Sequence, residues 1–353
     1  MNLQRVEKIA EAVLYEGYML YPYRPSSVKN QQRFNFGVLY PPAWCDRQTG
    51  SDRSSMQTEC LLKASPSSRL AIKVRFLQIC RRSIGRVIPQ SVEDPGDSEP
   101  AFEIVDRLEI DGRAYQPWQE AVEKSVTLAD LDAHSPAPMT LSISLPEGRL
   151  IEYLRDDHAR PAGAVIREWN ALFGSVEVET MAYSKELVKI TVRVENLTSP
   201  DSHVPVQTIA RDAILLDSLV SAHTILGVDN GEFISLLEPA QGCEQLAAQC
   251  QNIGTWPVLA GEDSTMMLSS PIILYDFPQI APESAGNLFD STEIDEILSL
   301  RILTLTENEK REMRQSDDRA RAILDRTENM PEEQFMKLHG VLRGLTAQKE
   351  ETQ

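Results

Sequence analysis

Lys189-Ile-Thr-Val-Arg-Val-Glu-Asn196 alternates charged or polar residues with branched apolar ones along its length. A strand, whose successive side chains point to opposite faces, puts Ile190, Val192 and Val194 on one side and Lys189, Thr191, Arg193 and Glu195 on the other. A helix would scatter the same residues around its circumference. The run therefore reads as a half-buried strand with one wet face, the pattern of an antiparallel sheet covered on one side.

Outward from this run the pattern recurs. Met139–Leu145, Ser175–Ala182 and Leu187–Glu195 alternate in the same way. Phe102–Ile110 turns at Asp111-Gly112 into Arg113–Tyr115, a hairpin signal because Asp-Gly tolerates the positive φ angles of a tight turn. Gly231–Leu237 and Pro271–Tyr275 read as further strands, and Arg33–Tyr40, Thr58–Leu62 and Leu70–Leu77 as strands of the N-terminal quarter.

Helical patterns lie at the two ends. Leu3, Val6, Ile9, Ala10 and Val13 share one face of an amphipathic helix over residues 2–14. Near the other end, Ser291 or Thr292 is an N-cap followed by acids, and Thr306-Glu-Asn-Glu309 is a capping box opening a charged helix to about Asp325. Pro331 starts a third. The expected fold class is α+β, an antiparallel β-sandwich-like core with an N-terminal helix and a C-terminal helical arm. The expected division is 1–89, a basic helix-plus-strand region packing on the core; 101–290, the mainly β core; and 291–353, the helical region. The acidic, proline-bearing stretch Gln90–Pro100 is the expected linker.

Composition narrows the function classes. The chain has 353 residues, 42% hydrophobic and 25% charged, enough to bury a sizeable core. No window approaches the roughly 18–20 apolar residues of a membrane span, and Glu7, Lys8 and Glu11 interrupt the place of a signal peptide. Five cysteines at irregular spacing fit a reducing compartment, so a cytoplasmic location and no membrane partner are expected. The net charge of −18 is uneven: residues 1–86 hold 14 Lys+Arg against 6 Asp+Glu, which leaves −26 on the remainder. A total this acidic repels a phosphate backbone, and no nucleic-acid-binding motif accompanies the basic quarter, so nucleic acid is not an expected partner.

Familiar chemistry is missing from the sequence. The cysteines form no C-x₂-C pair, and Cys60, Cys243 and His223 are at most weak metal candidates that a fold would have to assemble. His223, inside the apolar segment Leu219–Leu226, reads as a core or interface histidine before a general base. There is no nucleophile elbow, dinucleotide fingerprint or phosphate loop, and no cofactor is expected.

Two segments stand out. Tyr21-Pro-Tyr-Arg-Pro-Ser-Ser-Val-Lys-Asn-Gln-Gln-Arg-Phe34 sets Arg24, Lys29 and Arg33 among Tyr21, Tyr23 and amides, donors suited to an anion or an acidic protein surface. The same cations could equally pair with the acidic remainder of the chain. The second runs from Cys250 through Ser284 and on to Phe289–Asp295, rich in proline and aromatics and poor in charge before Glu283, and reads as an ordered extended passage. Trp256, Tyr275 and Phe277 could line a groove there, or the passage could simply strap the core.

Long strings in these segments carry a resemblance. Glu16-Gly-Tyr-Met-Leu-Tyr-Pro-Tyr-Arg-Pro-Ser-Ser-Val-Lys-Asn-Gln-Gln-Arg-Phe34, Met56-Gln-Thr-Glu-Cys60, Gly254-Thr-Trp-Pro-Val258, Ser269-Ser-Pro-Ile-Ile-Leu-Tyr-Asp276 and Thr292-Glu-Ile-Asp-Glu-Ile297 resemble a bacterial protein family associated with nickel–iron hydrogenase gene clusters. The resemblance covers nearly the whole chain and carries over no catalytic residues. It implies an accessory role in assembling, maturing or tethering a hydrogenase, with a hydrogenase component as partner. The alternative is an enzyme or metallochaperone in which Cys60, Cys243, His223 and the Arg24, Lys29 and Arg33 cations converge on a pocket.

Overall fold

The computed structural model describes residues 6–10, 36–46, 50–88, 101–200 and 209–278, and near the C-terminus 305–316, 321, 324–325 and 327–329. The chain forms two compact units, Met1–Met19 with Gln31–Gln279, and Leu20–Asn30 with Ile280–Gln353. The first is an antiparallel β structure with few helices, a β-sandwich-like α+β fold. Its strands are β1 Ser55–Val87, β2 Phe102–Val105, β3 Leu108–Ile110, β4 Arg113–Tyr115, β5 Trp118–Asp132, β6 Met139–Leu145, β7 Gly148–Arg155, β8 Pro161–Trp169, β9 Leu172–Ala182, β10 Leu187–Asn196, β11 Val220–Ile234, β12 Trp256–Leu259 and β13 Met266–Ser270.

β1 organises the sheet. The two apolar runs expected as separate strands are one strand of 33 residues, because Ser65-Pro-Ser-Ser68 between them makes a bulge, not a turn. Pro66 lacks the N–H a ladder needs, and Ser68 Oγ takes over by accepting the Ser65 N–H (2.8 Å) and donating to Asn230 O. Along one edge β1 pairs in turn with β10, β5 and β2, and along the other with β11 and then β8. The register with β11 slips between Ala64 and Arg69. Before the bulge β1 belongs to the layer β6-β9-β10, and after it to the layer containing β5, β11, β13 and β12.

The two layers close on one core. Ile190, Val192 and Val194, the apolar face of the opening run, pack in the same cluster as Val176 and Val178 of β9, Ile72, Val74 and Phe76 of β1, Leu128 of β5 and Leu226 of β11. At about 25 cal/mol per Å² of buried apolar surface this interior is the main stabilising term of the unit. The Asp111-Gly112 hairpin joins β3 to β4 with φ of 47° and 77°, both positive as a two-residue turn requires.

Two expected strands are absent. Phe36–Tyr40, the described part of Arg33–Tyr40, makes only isolated bridges at Leu39, to Leu219 and to Arg53, since Gly37 at φ +57° turns the chain against Pro271. Pro271–Tyr275 is not a strand either. Ser270 Oγ donates to Ile272 O (2.7 Å) and accepts its N–H (3.3 Å), occupying the groups a ladder would use.

Residues 6–10 of the expected N-terminal helix are helical, with Val6 and Ala10 buried against Ile225, Ala260 and Leu268. In the second unit the capping box forms: Glu309 Oε2 accepts from the Thr306 N–H at 2.6 Å, and the Glu309 N–H donates to Thr306 Oγ1 at 3.4 Å. The helix it opens, Glu307–Ser316, does not run on to Asp325 as expected. Lys310 Nζ lies 3.1 Å from Glu328 Oε1, whereas one continuous helix would hold those residues about 27 Å apart. Among the described residues no helix is long and apolar enough to cross a membrane.

Candidate interaction site

The passage from Cys250 to Pro278 is fastened to the sheet at three places. At its start, the Gln251 N–H donates to Glu59 Oε2 (2.8 Å), Asn252 Oδ1 accepts the Glu59 N–H (2.8 Å), and Gln57 and Ile253 exchange backbone bonds. In the middle, Thr255 Oγ1 and Thr58 Oγ1 each lie 2.7 Å from Ser269 Oγ, a fully buried chain of hydroxyls that answers its own polarity. At its end, Asp276 Oδ1 accepts the Leu259 N–H (2.7 Å), Asp276 Oδ2 accepts the Ser235 hydroxyl, and the Phe277 N–H donates to Leu259 O (2.7 Å).

Between these fastenings large apolar side chains face solvent. Ile273 is 73% exposed, Tyr275 87%, Phe277 39% and Trp256 44%. Ser235 Oγ also accepts the N–H groups of Leu237 (3.1 Å) and Glu238 (2.8 Å), which brings the exposed Leu237 beside the Asp276 clasp. Phe277 holds φ at +55°, a conformation unfavourable for a bulky L-residue and more so before Pro278. A strained aromatic on a pinned backbone is the kind of outlier that gathers at recognition surfaces. The stretch of sequence the passage belongs to is acidic, residues 212–278 containing nine Asp+Glu and no Lys or Arg, although Arg53 packs on Gly254 and Lys189 lies beside Gln251 from elsewhere in the chain.

Beside the first fastening lies a shallow cleft of about 290 Å³, lined by Gln57, Glu59, Glu179, Lys189, Arg193 and Gln251. These are the outward-facing partners of the core residues on β1, β9 and β10, so the alternation that builds the core also builds the cleft. Burial pushes the Glu59 carboxyl up. Lys189 Nζ at 2.8 Å, the Gln251 N–H and Thr191 Oγ1 outweigh that and hold it below the usual carboxylate range. Arg193 donates to Gln57 Oε1 (2.9 Å) and lies 3.6 Å from Glu177 Oε2. Within the cleft, Glu59 is matched by Lys189, and Arg193 is matched by Glu177 at its margin, so these charges are stitched to one another across the sheet.

The weak metal candidates do not meet. Cys60 points into the main core, Cys243 packs on Leu61 from the opposite face of β1, and His223 pairs with Arg75 far along the same strand. Among the described residues no three His, Cys, Asp or Glu side chains come together in a metal-holding group. Burial pushes the Cys60 thiol well up and the Cys250 thiol up to about 11, so neither offers a thiolate near neutral pH.

His223 is fully buried, with Nδ1 2.8 Å from Ser221 O and Nε2 without a hydrogen-bond partner. Burial, aided by the neighbouring Arg75 and opposed by the Ser221 contact and Glu123, lowers its pKa to about 4. Arg75 is itself buried and donates from Nε and Nη2 to Glu123 Oε1 (2.9 and 2.7 Å) and from Nη1 to Glu7 O (3.1 Å).

Of the expected interaction residues, the structure brings Trp256, Tyr275 and Phe277 onto one passage. Tyr21, Tyr23, Arg24, Lys29 and Arg33, the expected seat of an acidic partner, lie outside the described residues. Sequence reasoning missed Asp276, Ser235, Ile273 and Leu237. One signal was available: Asp276 is the single charged residue between Ser264 and Pro282, and a lone acid in an uncharged passage marks an anchor. Compared with known proteins, the chain matches no family model, no curated protein and no solved structure.

Proposed function

We propose that this chain is a non-enzymatic interaction protein that docks through the Cys250–Pro278 passage onto a partner carrying Lys or Arg beside apolar anchors. The observation that carries the reading is the row Ile273, Tyr275 and Phe277, held outward by the Asp276 clasp instead of being folded into the core. A pinned aromatic row loses little conformational freedom on binding, and aromatics are the residues that dominate interface energetics. The acidic stretch of sequence that carries the row favours a partner of positive charge.

The resemblance drawn from the sequence suggests the partner to try first, a component of a nickel–iron hydrogenase or of its assembly machinery. A photo-crosslinking amino acid placed at Tyr275 in hydrogenase-producing cells tests this, with the same probe at the exposed Lys185 as control. The reading expects a hydrogenase component joined at 275 and not at 185. Equal capture at both positions, or a hydrogenase component joined at neither, would overturn it.

A further inference from the structure

Among the described residues, the margins of the sheet are protected in four places and bare in one. β12 carries Pro257 and is closed by Asp276 and Phe277; β7 bears Arg149, Glu152 and Arg155; β5 bears Glu120, Glu123, Lys124 and Asp130; β2 has four residues. Charge, proline and shortness are the usual means by which an edge is kept from pairing with another chain. β6, Met139-Thr-Leu-Ser-Ile-Ser-Leu145, has none of them. It is the end strand of the sheet, seven residues long, uncharged, without proline or register shift, and bounded outside by Pro138 and Pro146.

The register tells which backbone groups are bare. Phe173 O accepts the Leu197 N–H, so the odd-numbered residues of β9 turn their backbone groups toward β10 and the even-numbered ones toward β6. Leu172, Gly174, Val176 and Val178 pair with Leu145, Ile143, Leu141 and Met139. Thr140, Ser142 and Ser144 therefore aim their N–H and C=O groups away from the sheet, and among the described residues nothing bonds to them. Their side chains are exposed, while Ile143 is buried and Leu141 and Leu145 are partly so.

We infer that β6 pairs antiparallel with β6 of a second copy of this chain, on a two-fold axis through Ser142, continuing the sheet across the pair. The strand is complementary to itself. Thr140 falls opposite Ser144 of the copy and Ser142 opposite its own counterpart, hydroxyl to hydroxyl, and the three bare residues on each side exchange about six hydrogen bonds. No charge meets its like at the seam, and a repeated identical patch is what a closed two-fold contact needs. A charge of −18 on each copy opposes the approach, so the pairing strengthens as salt screens it.

Analytical ultracentrifugation of the full chain, from low to high micromolar and at low and high salt, should show a reversible shift from one mass to twice that mass, larger at high salt. Ser142→Lys, an exposed substitution, should abolish the shift with an unchanged circular dichroism spectrum. Under mild oxidation Ser142→Cys should form a reducible dimer, because its Cα faces its own copy at about 5.5 Å, within disulfide reach. Thr140→Cys alone should not, and the five native thiols set the background in the unmodified protein. A single monomer mass throughout, or equal cross-linking from Thr140→Cys and Ser142→Cys, overturns the inference.

Discussion

At the scale of single residues, Asp276 and His223 are side chains whose surroundings fix what they do. Asp276 answers one backbone N–H and one hydroxyl at once, so Asp276→Ala should leave two buried donors short. The expected loss is about 1–3 kcal/mol in a urea titration. His223 makes stability depend on acid. Its folded pKa of about 4 lies below the unfolded value of 6.5, so between them the unfolded chain binds more protons and stability falls as pH falls. The loss should reach about 2 kcal/mol at pH 5 relative to pH 7 and level off below pH 4. Urea midpoints at both pH values for the native chain and His223→Gln would show it, the variant losing that share of the pH dependence. The apolar neighbours of His223 announced its burial in the sequence. The Arg75–Glu123 pair beside it did not, because those residues come from different strands.

At the scale of elements, the opening run was legible because one face is dry and the other wet, and β6, β9 and β10 follow the same logic. β5, β7 and β8 were not legible. β5 carries Glu120, Glu123, Lys124, Asp130 and Asp132, and only Leu128 of its residues is buried, so alternation is too faint to read. β1 was split by Pro66 and its serines, which signal a turn locally and become a bulge where the β1–β11 register shifts and Ser68 bonds to Ser65 and Asn230. Close approach of strands gives an element-scale expectation. A Cβ on Gly174 would stand 2.5 Å from Glu195 O, a backbone atom of the neighbouring strand at the end of the ladder. Gly174→Ala should therefore destabilise the β9–β10 pair and the protein by about 2–3 kcal/mol, read from the chemical denaturation midpoint.

At the scale of the whole molecule, the same sheet that buries the core displays the Cys250–Pro278 passage. The passage is fastened by Glu59, by the Ser269 hydroxyl chain and by Asp276, and it lies in an acidic stretch of sequence, residues 212–278, without Lys or Arg. Its anchors bond to the sheet, whereas the side chains of its row stand exposed. The double substitution Ile273→Ser and Tyr275→Ala separates the two roles in one preparation, by reading thermal unfolding and partner binding together. If the row serves recognition, the unfolding temperature should stay within about 2 °C, less than 1 kcal/mol for a unit of this size, while binding of whichever partner cross-links at 275 weakens tenfold or more. A fall of several degrees with binding unchanged would show instead that the row holds the fold together.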